Sequence, residues 1–238
     1  MSLAGKKVFV TGGSSGMGFA TAASVVEAGG SVIIASRSAE KLENAKKRIG
    51  KSVETMTLDV TNEDEVKALF EKVDPFDHLV TCAAGTAMGA FLESDVAPVR
   101  DYFESKYWGQ YYTVKYAHGK IKEGGSIVMF SGAANKKATA GMTSSASING
   151  AIEGLCRTLA QELAPVRVNV VSPGLIDTEM HAPLPEEARE GLYNFVAQAL
   201  PIPRVGTPED VAKAAMYLLV SDYATGTVIS VDGGYAAT

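Results

Sequence analysis

At 238 residues, 46% hydrophobic and 21% charged, the chain has the composition of an ordinary folded protein, and its length fits one α/β domain spanning 1–238 better than two. A net charge of −5, from 22 basic and 27 acidic side chains, leaves no basic field of the kind nucleic-acid binders carry, and no apolar run reaches the roughly 18 residues of a membrane span. The two cysteines, Cys82 and Cys156, have neither metal-ligand spacing nor a disulfide framework, so a reducing, cytoplasmic setting without a metal site is expected.

In chain order, the β-branched and aromatic run Lys7-Val8-Phe9-Val10-Thr11 breaks at Gly12-Gly13-Ser14-Ser15-Gly16-Met17-Gly18, and helical spacing resumes from Ala20 to Val26. A strand, tight turn and helix start of this kind aims free N–H groups and the helix dipole at one point, which suits a pyrophosphate. Gly12, Gly16 and Gly18 keep the close-approach positions free of side chains, at a Gly-x-x-x-Gly-x-Gly spacing. A buried strand follows at Ser31 to Ala35, and Ser38 caps a charged helix through Arg48, with Glu43 four residues before Lys47. A third strand runs near Val53 to Leu58, and Thr61-Asn62-Glu63-Asp64 has the Ser/Thr-x-x-acid form that opens a helix.

A fourth strand, His78 to Thr81, enters Cys82-Ala83-Ala84-Gly85; then come a long aromatic helix from about Val99 to Lys122, a strand at Ser126 to Phe130, a helix from about Ser145 to Leu163 and a strand at Val166 to Val171. This alternation implies a doubly wound parallel sheet of about seven strands with helices on both faces, in which ligands bind beyond the carboxyl ends of the strands. The irregular stretch at about 175–206, rich in proline and carrying Met180, His181, Leu184, Tyr193 and Phe195, reads as a lid with a partly apolar lining. Thr207-Pro208-Glu209-Asp210 starts the last helix, and Thr227 to Val231 is the final strand. On the long helix, Tyr107, Trp108, Tyr111 and Tyr112 fit core or subunit contact better than catalysis.

Four separated motifs, Thr11 to Gly18, Leu58-Asp59-Val60, Arg167 to Gly174 and Val231-Asp232-Gly233-Gly234, together resemble the short-chain dehydrogenase/reductases over nearly the whole chain. The resemblance implies a Rossmann-type fold, a nicotinamide dinucleotide, hydride transfer between its C4 and a carbonyl or alcohol, and a homodimer or homotetramer. Carried over by position, Gly12, Ser14, Ser15, Gly16, Met17 and Gly18 line the pyrophosphate and adenosine ribose. Asp59 and Val60 hold the adenine, Ala83, Ala84 and Gly85 form the second strand-end motif, and Pro173, Gly174, Ile176 and Thr178 lie along the nicotinamide. Cofactor choice follows from charge: an acid at the end of the second strand accepts from a ribose 2′-OH, whereas an arginine there accommodates a 2′-phosphate. Ala35-Ser36-Arg37-Ser38 offers no acid, so Ser36 and Arg37 favour NADP(H) over NAD(H).

The chemistry departs from the family. Its Tyr-x-x-x-Lys falls on Ser145 and Asn149, its Ser on Gly132 beside Ser131, and its Asn on or beside Lys106, which makes this a divergent member without the Ser/Tyr/Lys/Asn tetrad. A phenol next to an ammonium is a usable proton donor near neutrality, whereas a serine beside an asparagine is far weaker. Ser145, Asn149, Ser131 and Lys106 are therefore the candidate catalytic positions, while Lys136 and Lys137 on the loop after the fifth strand are expected to be solvated. The reading is an NADP(H)-dependent oxidoreductase acting on a small molecule with a non-standard proton donor. The alternatives are a non-catalytic NADP(H)-binding sensor or structural partner, and lyase or isomerase chemistry with the nucleotide retained.

Overall fold

The glycine turn takes its place from the order of the strands. In the computed structural model, which describes residues 2–238, the strands are β1 (Lys7–Thr11), β2 (Ser31–Ser36), β3 (Val53–Thr57), β4 (Phe76–Thr81), β5 (Ile121–Phe130), β6 (Arg167–Pro173) and β7 (Val228–Val231). They form one parallel sheet in the order β3-β2-β1-β4-β5-β6-β7. The chain winds outward from β1 to β3, then returns to the other side of β1 at β4. The crevice of this Rossmann-type sheet therefore opens between the ends of β1 and β4, where strand order reverses. Thr11 pairs with Ala35 on one side and Thr81 on the other, which brings Gly12, Ser36-Arg37 and Cys82 to the same edge.

Strand periodicity divides the core. Phe9 packs on one face with Phe70 and Phe76, at ring-centroid distances of 5.0 and 5.6 Å. Val8 and Val10 face the other side, against Val25 of α1 (Gly16–Glu27), Leu42 of α2 (Ala39–Ile49) and Ala215 of α8 (Pro208–Val220). Full burial of each such large side chain contributes about 1.5–3 kcal/mol, so the sheet is a rigid base for the loops at its carboxyl edge. Arg167 donates to the carbonyls of Leu218, Leu219 and Ala224, tying β6 to the end of α8.

Three local expectations need correction. The helix after β3 is α3 (Glu63–Lys72), capped by Asn62 rather than Thr61: the Asn62 side chain accepts from the Glu65 N–H, while the Thr61 hydroxyl is drawn to Asp59. The long aromatic helix begins and ends earlier than expected, as α4 (Val96–Phe103), a π-helical turn (Glu104–Trp108) and α5 (Gly109–Ala117). Lys122 belongs to β5, because Ile121 is captured opposite Phe76 and the strand begins there rather than at Ser126. The segment after β6 contains a short helical turn, Glu179–His181, and α7 (Glu186–Ala199); α6 (Thr143–Glu162) lies beneath the β5 loop. Thr207 forms a full capping box with Asp210, as its spacing predicts.

The π turn has a local cause. A π turn leaves the hydrogen-bond ladder locally out of step, and here the Gln110 side chain takes the Lys106 carbonyl at 2.8 Å. The same side chain donates to the Phe130 carbonyl and accepts from the Phe130 N–H and the Thr81 hydroxyl. Buried Gln110 thus pins the helix to the ends of β4 and β5, beside the crevice.

Candidate dinucleotide-binding site

The turn after β1 closes on its neighbours so tightly that only glycine fits. Gly12 has φ +72°, and a Cβ there would lie 2.6 Å from the Ala83 nitrogen, so the loops after β1 and β4 touch backbone to backbone. A Cβ on Gly18 would lie 2.3 Å from the Gly12 carbonyl oxygen, which lets α1 start directly against the turn. Ser15 is the N-cap of α1 without a side-chain cap bond, and the first turn holds no acidic residue. The N–H groups at this helix start therefore face the crevice, and the Gly16 N–H donates to Glu179 Oε2 at 3.0 Å. An anion from the chain itself occupies the position where N–H donors and the helix dipole favour negative charge.

The crevice is a cleft of about 830 Å³. Of the predicted cofactor residues, it brings together Gly12, Ser14, Ser15, Gly16, Met17, Ser36, Arg37, Asp59, Val60, Ala83, Ala84, Gly85 and Thr178. Gly18 lies behind the turn, and Pro173, Gly174 and Ile176 lie off this cleft. Pro173 pairs with Val231, Gly174 packs against Asp232, and Ile176 is buried in the core. At the β2 end, the Ser36 hydroxyl is buried without a partner, and exposed Arg37 forms no ion pair among the described residues. Ser38 is committed to capping α2 at Lys41, whose side chain lines the same corner. Asp59 accepts from both the N–H and hydroxyl of Thr61.

The positions paired by resemblance with the family's Ser and Lys meet in space. A Cβ on Gly132 would lie 2.9 Å from Asn149 Nδ2, so the buried Asn149 amide fills the space a larger residue at 132 would enter. Asn149 Oδ1 has no partner, nor do the buried Ser172 hydroxyl at the end of β6 and Asn135 Oδ1 after β5. Ser145 is buried near the start of α6. Ser131 is committed: its hydroxyl donates to buried Glu153 at 3.1 Å, and Lys136 donates to the other carboxylate oxygen at 2.6 Å. Lys136 is thus not simply solvated, because Glu153 without it would be a buried lone carboxylate. Lys137 reaches Thr238. Lys106 turns onto the buried Tyr102 hydroxyl at 3.3 Å instead of reaching openly into the cleft.

Burial shifts three titratable groups at or beside the cleft. Burial pushes the Cys82 thiol up to about 12. Burial and the hydrogen bond to Asp177 push the Tyr193 phenol up to about 12, and burial lowers the His181 imidazole. Tyr193 bridges Asp177 at 2.9 Å and His181 Nδ1 at 3.1 Å, fastening the segment after β6 to α7. No cluster of three or more His, Cys, Asp or Glu side chains suited to a metal occurs among the described residues, and no helix is long and apolar enough to cross a membrane. Sequence reading missed Glu179, Gln110 and Glu153. Only Gln110, a polar residue amid an apolar helical stripe, left a signal.

The family model described as enoyl-(acyl carrier protein) reductase matches residues 12–236. Carbonyl reductase family member 4 of Danio rerio is 32% identical, over 94% of this chain and 95% of that protein. A 3-oxoacyl-[acyl-carrier-protein] reductase of Thermotoga maritima is 34% identical, over 98% of this chain and 99% of that protein. A crystal structure of a small-chain dehydrogenase in complex with NADPH superposes with a TM-score of 0.83 at 32% identity, covering 98% of this chain and 99% of that one.

Proposed function

The chain belongs to the short-chain dehydrogenase/reductase family of oxidoreductases, and from that premise we propose that it is an NADP(H)-dependent oxidoreductase acting on a carbonyl or alcohol, with a proton donor other than a Tyr–Lys pair. The observation that carries the cofactor reading is the corner at the end of β2: an unpartnered buried Ser36 hydroxyl, an unpaired Arg37 guanidinium and Lys41, with no carboxylate at the end of that strand. A 2′-phosphate satisfies all three, and a 2′-hydroxyl leaves two cations without a counterion.

The dinucleotide supplies or accepts the hydride when bound. The residues of the chain do the rest. The N–H groups from Ser14 to Met17, at the start of α1, hold the pyrophosphate; Asp59 and Val60 flank the adenine; Ala83 to Gly85 form the floor. By resemblance to the family Thr178, which lines the cleft, would lie along the nicotinamide, whereas Pro173, Gly174 and Ile176 are taken up by Val231, Asp232 and the core. At the positions paired with the family's Tyr and Lys, Ser145 and Asn149 are buried off the cleft and carry no charge to activate a donor. Ser131 and Lys106 are already bonded to Glu153 and Tyr102. General acid catalysis contributes about 10² to 10⁴ in rate, so turnover on simple ketones is slow unless the substrate needs little proton transfer. The relatives that share the fold bear carbonyl reductase and oxoacyl reductase names, which favours redox chemistry over lyase or isomerase chemistry.

The test is incubation of the purified protein with NADPH and a broad carbonyl panel, and with NADP⁺ and alcohols in reverse. Cofactor turnover above a cofactor-only control supports the proposal; none across a wide pH range argues against it. The Asn149 amide in the space beside Gly132 favours a second reading, a dinucleotide sensor or structural partner, which binds NADPH and changes shape or partner without consuming it. Either form is proposed to be a cytoplasmic homodimer or homotetramer, with the exposed Trp108 and its neighbouring tyrosines as subunit contact.

A further inference from the structure

Glu179 separates two cavities. On one side lies the dinucleotide cleft; on the other is a cavity of about 370 Å³ that shares Gly16, Thr178 and Glu179 with it. The second cavity is lined by two cations, Arg48 and Arg189, which form no ion pair among the described residues. Arg48 is placed by stacking over Phe19 of α1, 4.1 Å from the ring centroid, and Arg189 projects from α7. Two acids also line it: Asp177, held by Tyr193, and Glu209, in the first turn of α8.

The Glu179 carboxylate therefore has one seat occupied and another within the cavity it lines. In one it accepts the Gly16 N–H, as observed; in the other it meets the two guanidinium groups behind it. We propose that Glu179 is an intrachain competitor for the phosphate seat of the glycine turn, and that dinucleotide binding drives its carboxylate from Gly16 into the arginine-lined cavity. The inference rests on the dinucleotide reading for the identity of the displacing anion. One N–H serves one anion best, and a carboxylate left beside a pyrophosphate is repelled by it, so the two compete for the Gly16 seat. The segment that moves is linked through Asp177 and His181 to Tyr193, so displacement of Glu179 is transmitted to α7. Cofactor binding is thereby coupled to the lid, and the affinity of the free chain is held below what the turn alone would give.

The experiment is a fluorescence titration of the full chain with NADPH, for wild type, Glu179→Gln, Arg189→Met and the double variant. Glu179→Gln is expected to tighten binding about fivefold, the effect of one unit charge at about 4 Å in water. Arg189→Met weakens binding in the wild type and has no effect in the Glu179→Gln background, because the seat it supplies is then unused. Equal or weaker binding by Glu179→Gln overturns the competitor while leaving the dinucleotide reading intact. Binding by none of the four overturns the dinucleotide reading. Hydrogen exchange of the Gly16 amide in the ligand-free chain then tests the contact alone: faster exchange in Glu179→Ala than in wild type upholds it, and equal exchange overturns it.

Discussion

Gly132→Ser adds a hydroxyl at the position that resemblance pairs with the family's serine, and the structure predicts that it is costly alone and tolerated in company. The new Cβ would lie 2.9 Å from Asn149 Nδ2 and 3.4 Å from its Cγ, closer than side-chain atoms normally approach. Asn149 is only 2% exposed, within α6, so its amide cannot swing into solvent. Overpacking of this kind costs about 1–3 kcal/mol. For a chain of this size that lowers the melting temperature by roughly 2–4 °C per kcal/mol. Asn149→Ala removes the clashing amide, so the double variant Gly132→Ser/Asn149→Ala is more stable than the sum of the single changes by at least about 1 kcal/mol. Urea unfolding of the wild type, both single variants and the double variant measures this coupling. Additive effects would mean that the amide does not occupy the space beside Gly132, and the geometric basis for pairing these positions would be lost.

Restoring three positions together, with Gly132→Ser, Ser145→Tyr and Asn149→Lys, is expected to raise NADPH-dependent ketone reduction by up to about 10² to 10⁴; an inactive but folded triple variant refutes the alignment of these residues with the family's donor. Gln110→Leu leaves the Phe130 N–H and carbonyl unsatisfied in the core, at about 1–3 kcal/mol each, and denaturant unfolding should show a loss of more than 2 kcal/mol. His78 is buried against Ser126, and burial lowers its pKa to about 4 from the ordinary 6.5. The unfolded chain binds this proton below pH 6.5 and the folded chain does so only near 4. This group therefore lowers stability by about 3 kcal/mol as pH falls through that window, and by no more below it. Urea midpoints measured from pH 7 to 4 should fall more steeply in wild type than in His78→Gln, and parallel curves would contradict a neutral buried imidazole.

Outside the 175–206 stretch, where α7 stands in a segment read as irregular, the order and type of the elements were legible because the strands are short β-branched runs ending at turn residues, and because Ser38 and Thr207 carry caps that work as their spacing implies. Thr61 misled because two adjacent residues could cap the same helix, and the competing Asp59 carboxylate decided between them. The end of the long helix was illegible for a different reason. Lys120 and Lys122 suit a helix terminus, but the pairing of Ile121 with Phe76, some forty-five residues away, decides the matter. The proposal for the corner at the end of β2 rests on Ser36 and Arg37, since the absence of an acid there is a sequence property. The commitments of Ser131 to Glu153, Lys106 to Tyr102 and Glu179 to Gly16 are tertiary contacts, and spacing carries no trace of them.

The corner at the end of β2 is proposed to hold the 2′-phosphate of a phosphorylated dinucleotide. Its most direct test is calorimetric titration of the wild type and Arg37→Ala with NADPH and with NADH. Wild type is expected to bind NADPH at least tenfold more tightly than NADH, and Arg37→Ala to erase most of that difference by removing a charged hydrogen bond of about 1.5–3 kcal/mol. Equal or tighter binding of NADH by the wild type, or an Arg37→Ala variant that keeps the full preference, would contradict it.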